Sequence, residues 1–304
     1  MQTQRVVALG FFDGVHIGHG ALLQKTRQRA DELGLTACAM SLDAPPAAVI
    51  SGSAAPLLGT MADRTLLMQR LYGIDEVVFE HFDRRMMALS WQAFIDDYLI
   101  GQLGARHVVC GHDYRFGHHG AGTPALLTEY CHARGIGCDV IAEVTLDGVR
   151  VSSTAIRGQL LSGDLDNACR FLGHPHLLSG IVAHGRGLGR TIGVPTANIP
   201  IAPELLVPPH GVYCARAELE DGRVFPAVVN IGLHPTVGSL DAPVAEAWID
   251  GLDATLYEKP LRLWLCHMLR SEQKFDSVQA LRAQILYDRA QMRNYFSKTS
   301  EFTF

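Results

Sequence analysis

The sequence predicts two domains: an α/β domain built on a parallel sheet, and a small antiparallel β-barrel with a C-terminal helix. The chain has 304 residues, whereas one domain usually has roughly 100–200. Its first half alternates short apolar runs with helical patterns, which favours a parallel sheet with helices on both faces. Its second half has strands separated by glycine and proline, as in small barrels.

The first half supports the parallel sheet element by element. Strands are predicted at residues 5–9, 36–40, 76–79, 107–110 and 138–143. Helices are predicted at residues 21–33, 62–72, 91–103 and 124–134, and two short ones at 154–161 and 165–172. Ligands of such sheets bind beyond the carboxyl ends of the strands, so the segment after the first strand is the first place to look for a site.

The second half supports the barrel. Strands are predicted at residues 181–184, 212–219, 224–231, 244–249 and 261–267, followed by a helix at 278–295. Asp221 and Gly222 separate two of these strands, and an Asp-Gly pair is a good hairpin turn. We place the boundary near Leu178, with domains at 1–178 and 179–304.

Charge and cysteine content limit which classes of partner, and which cellular compartment, we expect for this chain. The formal net charge is −5 and no basic stretch dominates, so we expect neither a nucleic-acid nor a membrane partner. Seven cysteines without a CxxC pair indicate reduced thiols in the cytoplasm. The sequence shows no signal-peptide layout and no apolar run near the ~20 residues that span a bilayer. An oligomer is possible.

A glycine- and histidine-rich stretch follows the first predicted strand. Gly10 and Gly14 let the backbone turn tightly and approach a ligand, while the next helix directs free N–H groups toward it. His16 and His19 are three residues apart, so both imidazoles could face one phosphate and stabilise charge as phosphorus is attacked. A short motif of this kind can be a plain helix start, but here the whole strand–turn–helix is present.

This stretch resembles the N-terminal signature of the bacterial bifunctional riboflavin kinase/FMN adenylyltransferase family, also called FAD synthetase. The resemblance implies a Rossmann-like nucleotidyltransferase fold, with the paired histidines on the ATP phosphates and with Phe12 and Asp13 in the nucleotide site. It continues in order along the chain. Residues 111–117 are similar to the family's G-x-(D/N)-F-x-F-G segment, and residues 151–157 to its S-S-T-x-I-R segment.

Both further segments carry candidate ligand contacts. Ser153 and Thr154 are expected to cap a helix with Arg157 one turn further on, so that hydroxyls and guanidinium bind one oxyanion. A plain N-cap is the alternative for Ser152 and Ser153. Asp113 follows a predicted strand at the sheet edge, where it could hold a ribose or a hydrated Mg²⁺.

A second glycine-rich stretch, residues 184–198, joins two predicted strands. It is neither a P-loop nor a Rossmann fingerprint, and its composition alone indicates a flexible loop. Its end resembles the P-T-A-N signature of riboflavin kinases, which implies that the threonine and asparagine bind Mg²⁺ and nucleotide phosphate while the glycines let the loop fold over ATP. The candidate residues are Gly185, Gly187, Gly193, Pro195, Thr196 and Asn198.

Two more motifs complete the predicted kinase site. Residues 230–236 resemble the family's N-I-G-x-(R)-P-T, and the resemblance implies that Glu246 is the base acting on the 5′-hydroxyl of riboflavin; a solvated strand carboxylate is the alternative. Arg270 begins a segment that matches R-x-E-x-x-F and lines the flavin and nucleotide sites in the family. A surface cation paired with Glu272 or Asp276 is the alternative for Arg270.

The sequence also departs from the family pattern. Pro45 stands where the family has the histidine of T-F-x-P-H-P, and Gly120 and Thr123 replace a basic residue and an acid. Gly251 replaces the acid of E-V-H-L-L-D-F, and the acid moves to Asp250, which would reverse its side on a strand. These changes spare the phosphate-handling residues, so they bear on flavin specificity and rate.

The resemblance implies two successive reactions. ATP phosphorylates riboflavin to FMN and ADP at the barrel, and a second ATP adenylylates FMN to FAD at the first domain with release of pyrophosphate, both with Mg²⁺. The alternatives are that only one half is active, or that the protein is a flavin carrier without turnover. A metal site is a further alternative, although its histidines fit no standard zinc spacing: His112, His118, His119 and His132.

Overall fold

The structure is a computed structural model that describes residues 3–185, 193–234 and 242–299. The chain forms two compact units that divide between Ser153 and Thr154. Each unit has its own sheet and its own core. The predicted domain boundary near Leu178 stays a prediction, and residues 154–178 belong to the second compact unit.

The first unit is built on a five-stranded parallel sheet, whose strands lie in the order β3 (Glu76–Glu80), β2 (Thr36–Leu42), β1 (Arg5–Leu9), β4 (Ala105–Gly111) and β5 (Gly137–Ile141). The central strand is apolar and buried on both faces, as strands of a covered parallel sheet are: Val6, Val7 and Ala8 are fully buried. A separate two-stranded ladder of β6 (Thr145–Leu146) and β7 (Val149–Arg150) follows β5 in the chain.

Helices connect these strands, as predicted, together with two short helices that the sequence pattern missed. They are α1 (Ile17–Leu33), α2 (Pro46–Ser51), α3 (Met61–Tyr72), α4 (Arg84–Ala88), α5 (Trp91–Ala93) with a π-helical continuation (Phe94–Gln102), and α6 (Pro124–His132). Helix α3 shows why they begin and end where they do. Thr60 and Asp63 form a capping box at its start, and Gly73 ends it with φ 62°.

The second unit is built on a six-stranded antiparallel sheet, whose strands lie in the order β8 (His176–Ile181), β13 (Pro260–Ser271), β10 (Gly211–Leu219), β11 (Val224–His234), β12 (Ala242–Ile249) and β9 (Ala197–Pro200). A bridge between Ala183 and Asn198 nearly closes it into a barrel. Two short helices precede the barrel and a long one follows it. These helices are α7 (Ser153–Leu161), α8 (Leu165–Leu172) and the long C-terminal α9 (Val278–Lys298).

The barrel prediction is confirmed with two corrections. Strand β8 begins at His176 and ends at Ile181, so the predicted strand at 181–184 is placed too late. Strand β9 lies inside the stretch that composition alone assigned to a flexible loop. The predicted hairpin is present, because Gly222 adopts φ 84° and the Leu219 N–H donates to the carbonyl of Arg223.

Helix α9 packs on the barrel through Met292, which is fully buried against Val212, Cys214 and Val228. Asp250 ties the same helix to the end of β12, where its carboxylate accepts hydrogen bonds from two arginines of α9. The expectation that Asp250 reverses its side on a strand is wrong, because β12 ends one residue earlier and Gly251 turns the chain with φ 82°.

None of the helices in the described ranges is long and apolar enough to cross a bilayer.

Candidate functional site

The turn between β1 and α1 is held in an unusual backbone conformation. Phe12 and Val15 have φ values of 54° and 42°, and Gly14 has 76°. Positive φ is costly for residues with a side chain, above all for a β-branched one, and such strain clusters at functional sites. A Cβ at Gly10 would lie 2.9 Å from the ring of Phe12, so this glycine makes room for Phe12 inside the turn.

The two histidines predicted to act together do lie together. His16 caps α1, and its Nδ1 accepts the backbone N–H of His19 at 3.2 Å. The two rings stack with centroids 3.6 Å apart, and the ring of Phe12 meets His19 edge-on. The pair therefore stands at the N-terminus of a helix, where free backbone N–H groups favour an anion.

His19 is poised as a neutral hydrogen-bonding group. Burial lowers the pKa of His19 well below its usual range, and the neighbouring His16 and Arg64 lower it further. Its Nδ1 is buried and has no hydrogen-bond partner among the residues that the structure describes. A buried nitrogen without a partner is costly, so this atom is a candidate contact for a ligand.

Asp13 and Ser153 hold the turn in place. Asp13 is buried, and its carboxylate accepts the N–H of Leu58 at 2.8 Å. The hydroxyl of Ser153, the first residue of α7, donates to the carbonyl of Asp13 at 3.0 Å. The structure thus brings the Ser153 hydroxyl to the histidine turn, and its contact with a ligand stays a prediction. Thr154 and Arg157 lie in the second unit, and their grouping with the histidines stays a prediction.

Asp113 follows the carboxyl end of β4, as predicted. Its carboxylate forms an ion pair with Arg150, and Arg150 also pairs with Glu143 at 3.2 Å. All three side chains are about half exposed. Asp113 therefore lies at the sheet edge where a ligand is expected, but it is engaged by a cation of this chain. Its contact with ribose or metal stays a prediction.

The departures from the family pattern find local explanations. Thr123 caps helix α6 by accepting the N–H of Leu126, and Gly120 adopts φ 64° in the turn before it. Pro45 is the N-cap of the short helix α2. Each replacement thus fits a local backbone requirement.

In the barrel, Glu246 lies between two asparagines. It is paired with Asn230 on β11 and with Asn198 on β9. Side chains of directly paired residues share one face of a sheet, so a half-buried carboxylate is flanked by two carboxamides. We call these three side chains, Asn198, Glu246 and Asn230, the Glu246 row. Gly185 packs against it, because a Cβ atom at position 185 would lie only 2.5 Å from Nδ2 of Asn198.

The carboxylate of Glu272 lies near Asn230, at one end of the Glu246 row. A Cβ at Gly232 would lie 2.7 Å from Oε1 of Glu272 and 3.5 Å from Nδ2 of Asn230. The structure thus adds Asn230 and Glu272 to the candidate kinase site. Both residues lie inside family-like motifs of the sequence, at 230–236 and 270–275, and these motif positions are the sequence signal for them.

The remaining predicted kinase residues lie before and after this row. Thr196 is half-buried, and its carbonyl is 3.5 Å from Nδ2 of Asn198. Pro195 is exposed, and Gly193 has φ 76°. Gly187 lies outside the described residues.

Arg270 pairs with neither Glu272 nor Asp276, so that alternative is wrong. Its Nε and Nη2 donate to the two carboxylate oxygens of Asp288 on α9 at 3.1 and 2.8 Å. The side chain of Asp288 is 4% exposed. Arg270 therefore joins β13 to the C-terminal helix, and its contact with flavin or nucleotide stays a prediction.

No group of three or more His, Cys, Asp or Glu residues in the described ranges has an arrangement that could hold a metal ion. Of the histidines considered for a metal site, His118 forms a hydrogen bond with the carbonyl of Met87, and its ring meets the ring of His119 edge-to-face. His112 lies 3.8 Å from the carboxylate of Glu143.

Known proteins resemble the chain along nearly its whole length. Residues 1–155 match the family model described as FAD synthetase, and residues 172–296 match the one described as riboflavin kinase. The bifunctional riboflavin kinase/FMN adenylyltransferase of Bacillus subtilis (strain 168) is 34% identical over 300 residues, 97% of this chain and 94% of the relative. That of Escherichia coli (strain K12) is 36% identical, over 97% of this chain and 93% of the relative.

A solved structure from Streptococcus pneumoniae, described as a macrolide-efflux protein, has the same fold. It is 27% identical and superposes with a TM-score of 0.83 over 97% of this chain and 95% of its own.

With a candidate phosphate-handling site in each of two domains, the chain falls in the class of two-domain phosphate-transfer enzymes. It belongs to the family of bacterial bifunctional riboflavin kinase/FMN adenylyltransferases. Both halves of that family are present, in the family's order. The family resemblance of the sequence motifs is thereby confirmed.

Proposed function

We propose that this chain makes FAD from riboflavin in two steps, each in its own domain. The barrel transfers the γ-phosphoryl group of ATP to riboflavin and releases FMN and ADP. The α/β domain transfers the adenylyl group of a second ATP to FMN and releases FAD and pyrophosphate. The observation that carries this proposal is that the stacked histidine pair and the Glu246 row occur in one chain, each inside the segment that matches the corresponding family model.

In the kinase step, Glu246 acts as the base. Its carboxylate accepts the proton of the riboflavin 5′-hydroxyl as that oxygen attacks the γ-phosphorus, and ADP leaves. Asn198 and Asn230 lie on both sides of it and orient the hydroxyl and the phosphate. Gly185, Gly187 and Gly193 contact ATP in this proposal, and Arg270 supports the site from β13.

The proposed kinase site includes Mg²⁺, because two residues of the barrel offer oxygen atoms that could bind it. Thr196 and Asn198 supply the hydroxyl and carboxamide oxygens that would hold it, a donor set that suits a hard cation which keeps several waters and shares the ATP phosphates. The close approach of Gly185 to the Asn198 carboxamide leaves this corner free of side-chain bulk. When bound, the ion neutralises phosphate charge.

The adenylylation step needs no nucleophile from the protein. A phosphate oxygen of FMN attacks the α-phosphorus of ATP, and pyrophosphate leaves. His16, His19 and the N-terminal N–H groups of α1 stabilise the charge that develops on the phosphates. Ser153, Thr154 and Arg157 add hydroxyl and guanidinium donors, and Asp113 contacts the ribose.

The compartment is also part of the proposal. The reaction consumes ATP twice, and all seven cysteines are free thiols, as expected for a protein in the reducing cytoplasm.

The test is to incubate the purified protein with riboflavin, ATP and Mg²⁺ and to follow FMN, FAD, ADP and pyrophosphate separately by chromatography. We expect FMN with ADP to appear first and FAD with pyrophosphate to follow. Accumulation of FMN without FAD would show that only the kinase half is active. Retention of riboflavin without ATP consumption would indicate a flavin carrier and contradict the proposal.

A further inference from the structure

Arg64 on α3 is a buried cation with an incomplete set of hydrogen bonds. The residue is 0% exposed. Its side-chain hydrogen bonds to described residues all come from one nitrogen, Nη1, which donates to the carbonyl of Phe11 at 2.8 Å, the hydroxyl of Ser41 at 3.1 Å and the carbonyl of Leu42 at 3.2 Å. Nε and Nη2 have no partner in the described part of the chain.

This side chain lies at the histidine turn. Phe11 follows β1 and Leu42 ends β2, so the guanidinium is at the carboxyl edge of the sheet, where parallel sheets bind ligands. Arg64 is also close enough for its charge to lower the pKa of His19. His19 carries the other unpartnered nitrogen of this turn, so two side chains with unmet hydrogen-bonding capacity lie together.

Packing alone does not account for such an arginine. A buried charge that lacks partners is costly, and an apolar residue of similar volume is often as stable or more so. The carboxylates whose charge acts on Arg64 are those of Asp13 and Asp43. Asp13 accepts the N–H of Leu58, and Asp43 accepts that of Phe82 and pairs with His81.

The chemistry of the missing partner follows from the donors. Nε carries one N–H and Nη2 carries two, and a guanidinium has no acceptor. A phosphate or carboxylate matches this edge with two parallel hydrogen bonds. The ring centroids of Phe11 and Phe79 lie 4.8 and 4.9 Å from the guanidinium carbon, so aromatic rings pack on the guanidinium and help to keep it from water.

We propose that Arg64 binds a phosphate oxygen of an adenylylation substrate through Nε and Nη2, beside His19. This inference rests on the adenylylation step proposed above and adds a residue to it. The oxygen belongs to FMN or to ATP. These two sources share one chemistry and are separated by experiment.

The test uses the full-length protein with Arg64→Met, Arg64→Lys and a matched control. Arg70→Met is that control, since Arg70 is exposed on the same helix. We expect Arg64→Met to lower kcat/KM for adenylylation about 100-fold, the loss of a charged hydrogen-bond pair. Arg64→Lys should lose about tenfold, because it keeps the charge without the two-pronged geometry. A raised KM for FMN assigns the oxygen to FMN, and a raised KM for ATP assigns it to ATP.

A binding measurement separates this role from a structural one. Pyrophosphate and FMN are each titrated calorimetrically into every variant, and the melting temperature is recorded without ligand. We expect Arg64→Met to bind pyrophosphate or FMN about 100-fold more weakly than the parent while its unliganded melting temperature is unchanged or raised. The riboflavin kinase activity of the same molecules should be unchanged.

Two results would overturn the inference. One is an Arg64→Met protein that binds and adenylylates like the parent. The other is a loss of adenylylation in both Arg64 variants that only parallels a lower unliganded melting temperature, which would make Arg64 structural. If the parent itself neither adenylylates FMN nor binds pyrophosphate, the proposed function fails first, and that outcome is distinct from both.

Discussion

Replacing Asp250 by asparagine should loosen the C-terminal helix from the barrel. The Asp250 side chain is 6% exposed and accepts hydrogen bonds from Arg289 at 3.0 and 2.5 Å and from Arg293 at 2.6 Å. Burial by itself would raise the pKa of Asp250, but the hydrogen bonds and charges of the two arginines outweigh burial and hold it below its usual range. The carboxylate is therefore ionised at neutral pH, and the substitution removes its charge.

The loss of stability expected for Asp250→Asn depends on how exposed the two arginines are. A hydrogen bond to a charged group contributes roughly 1.5–3 kcal/mol. Arg289 and Arg293 are 33% and 58% exposed, so water replaces much of what they lose. We therefore expect the free energy of unfolding of the second unit to fall by about 2 kcal/mol. For a unit of this size that lowers the melting temperature by about 4–8 °C.

Differential scanning calorimetry measures this effect, with thermal inactivation of the riboflavin kinase activity as a second readout. The matched control is Asp221→Asn, because Asp221 pairs with Arg223 where both side chains are more than half exposed. That pair should contribute less than about 1 kcal/mol. If Asp250→Asn lowers the melting temperature no more than Asp221→Asn does, the burial argument for the Asp250 cluster is wrong.

Three smaller changes test other parts of the account. Burial lowers the pKa of His176 to about 4, whereas the unfolded value is about 6.5. The contribution of neutral His176 to the stability of the second unit should therefore be complete above about pH 6.5 and fall by roughly 2–3 kcal/mol at about pH 4.5, and urea titrations should show that His176→Leu removes this pH dependence. Gly185→Ala should displace the Asn198 carboxamide and lower the kinase kcat at least about tenfold, with adenylylation unchanged. Ser153→Ala removes the bond to the Asp13 carbonyl, so unfolding of the first unit should cost about 1 kcal/mol less.

Sequence reasoning succeeded where the signal is local. The strand–turn–helix at His16 and His19 can be read from adjacent residues, and the structure does bring the two rings together. The alternation of strands and helices likewise predicts the parallel sheet without any long-range information. The Asp221–Gly222 hairpin belongs to the same category.

The misses come from long-range contacts. Strand β9 has four residues inside a glycine- and proline-rich stretch, which is too short for a periodic signal, and only pairing with β12 makes it a strand. Arg64 looks like a surface cation in the sequence of α3, and its burial depends on Phe11 and Phe79 from distant segments. The partner of Arg270 is Asp288, 18 residues further along the chain, which no motif spacing indicated.

The central claim is that one chain carries two independent phosphate-transfer sites, and reciprocal single variants test it most directly. FMN formation from riboflavin and FAD formation from FMN are measured separately for Glu246→Ala and His19→Ala. The account predicts that Glu246→Ala abolishes FMN formation and keeps FMN adenylylation, and that His19→Ala does the reverse. Either variant retaining both activities at the parental rate would contradict the assignment for its half.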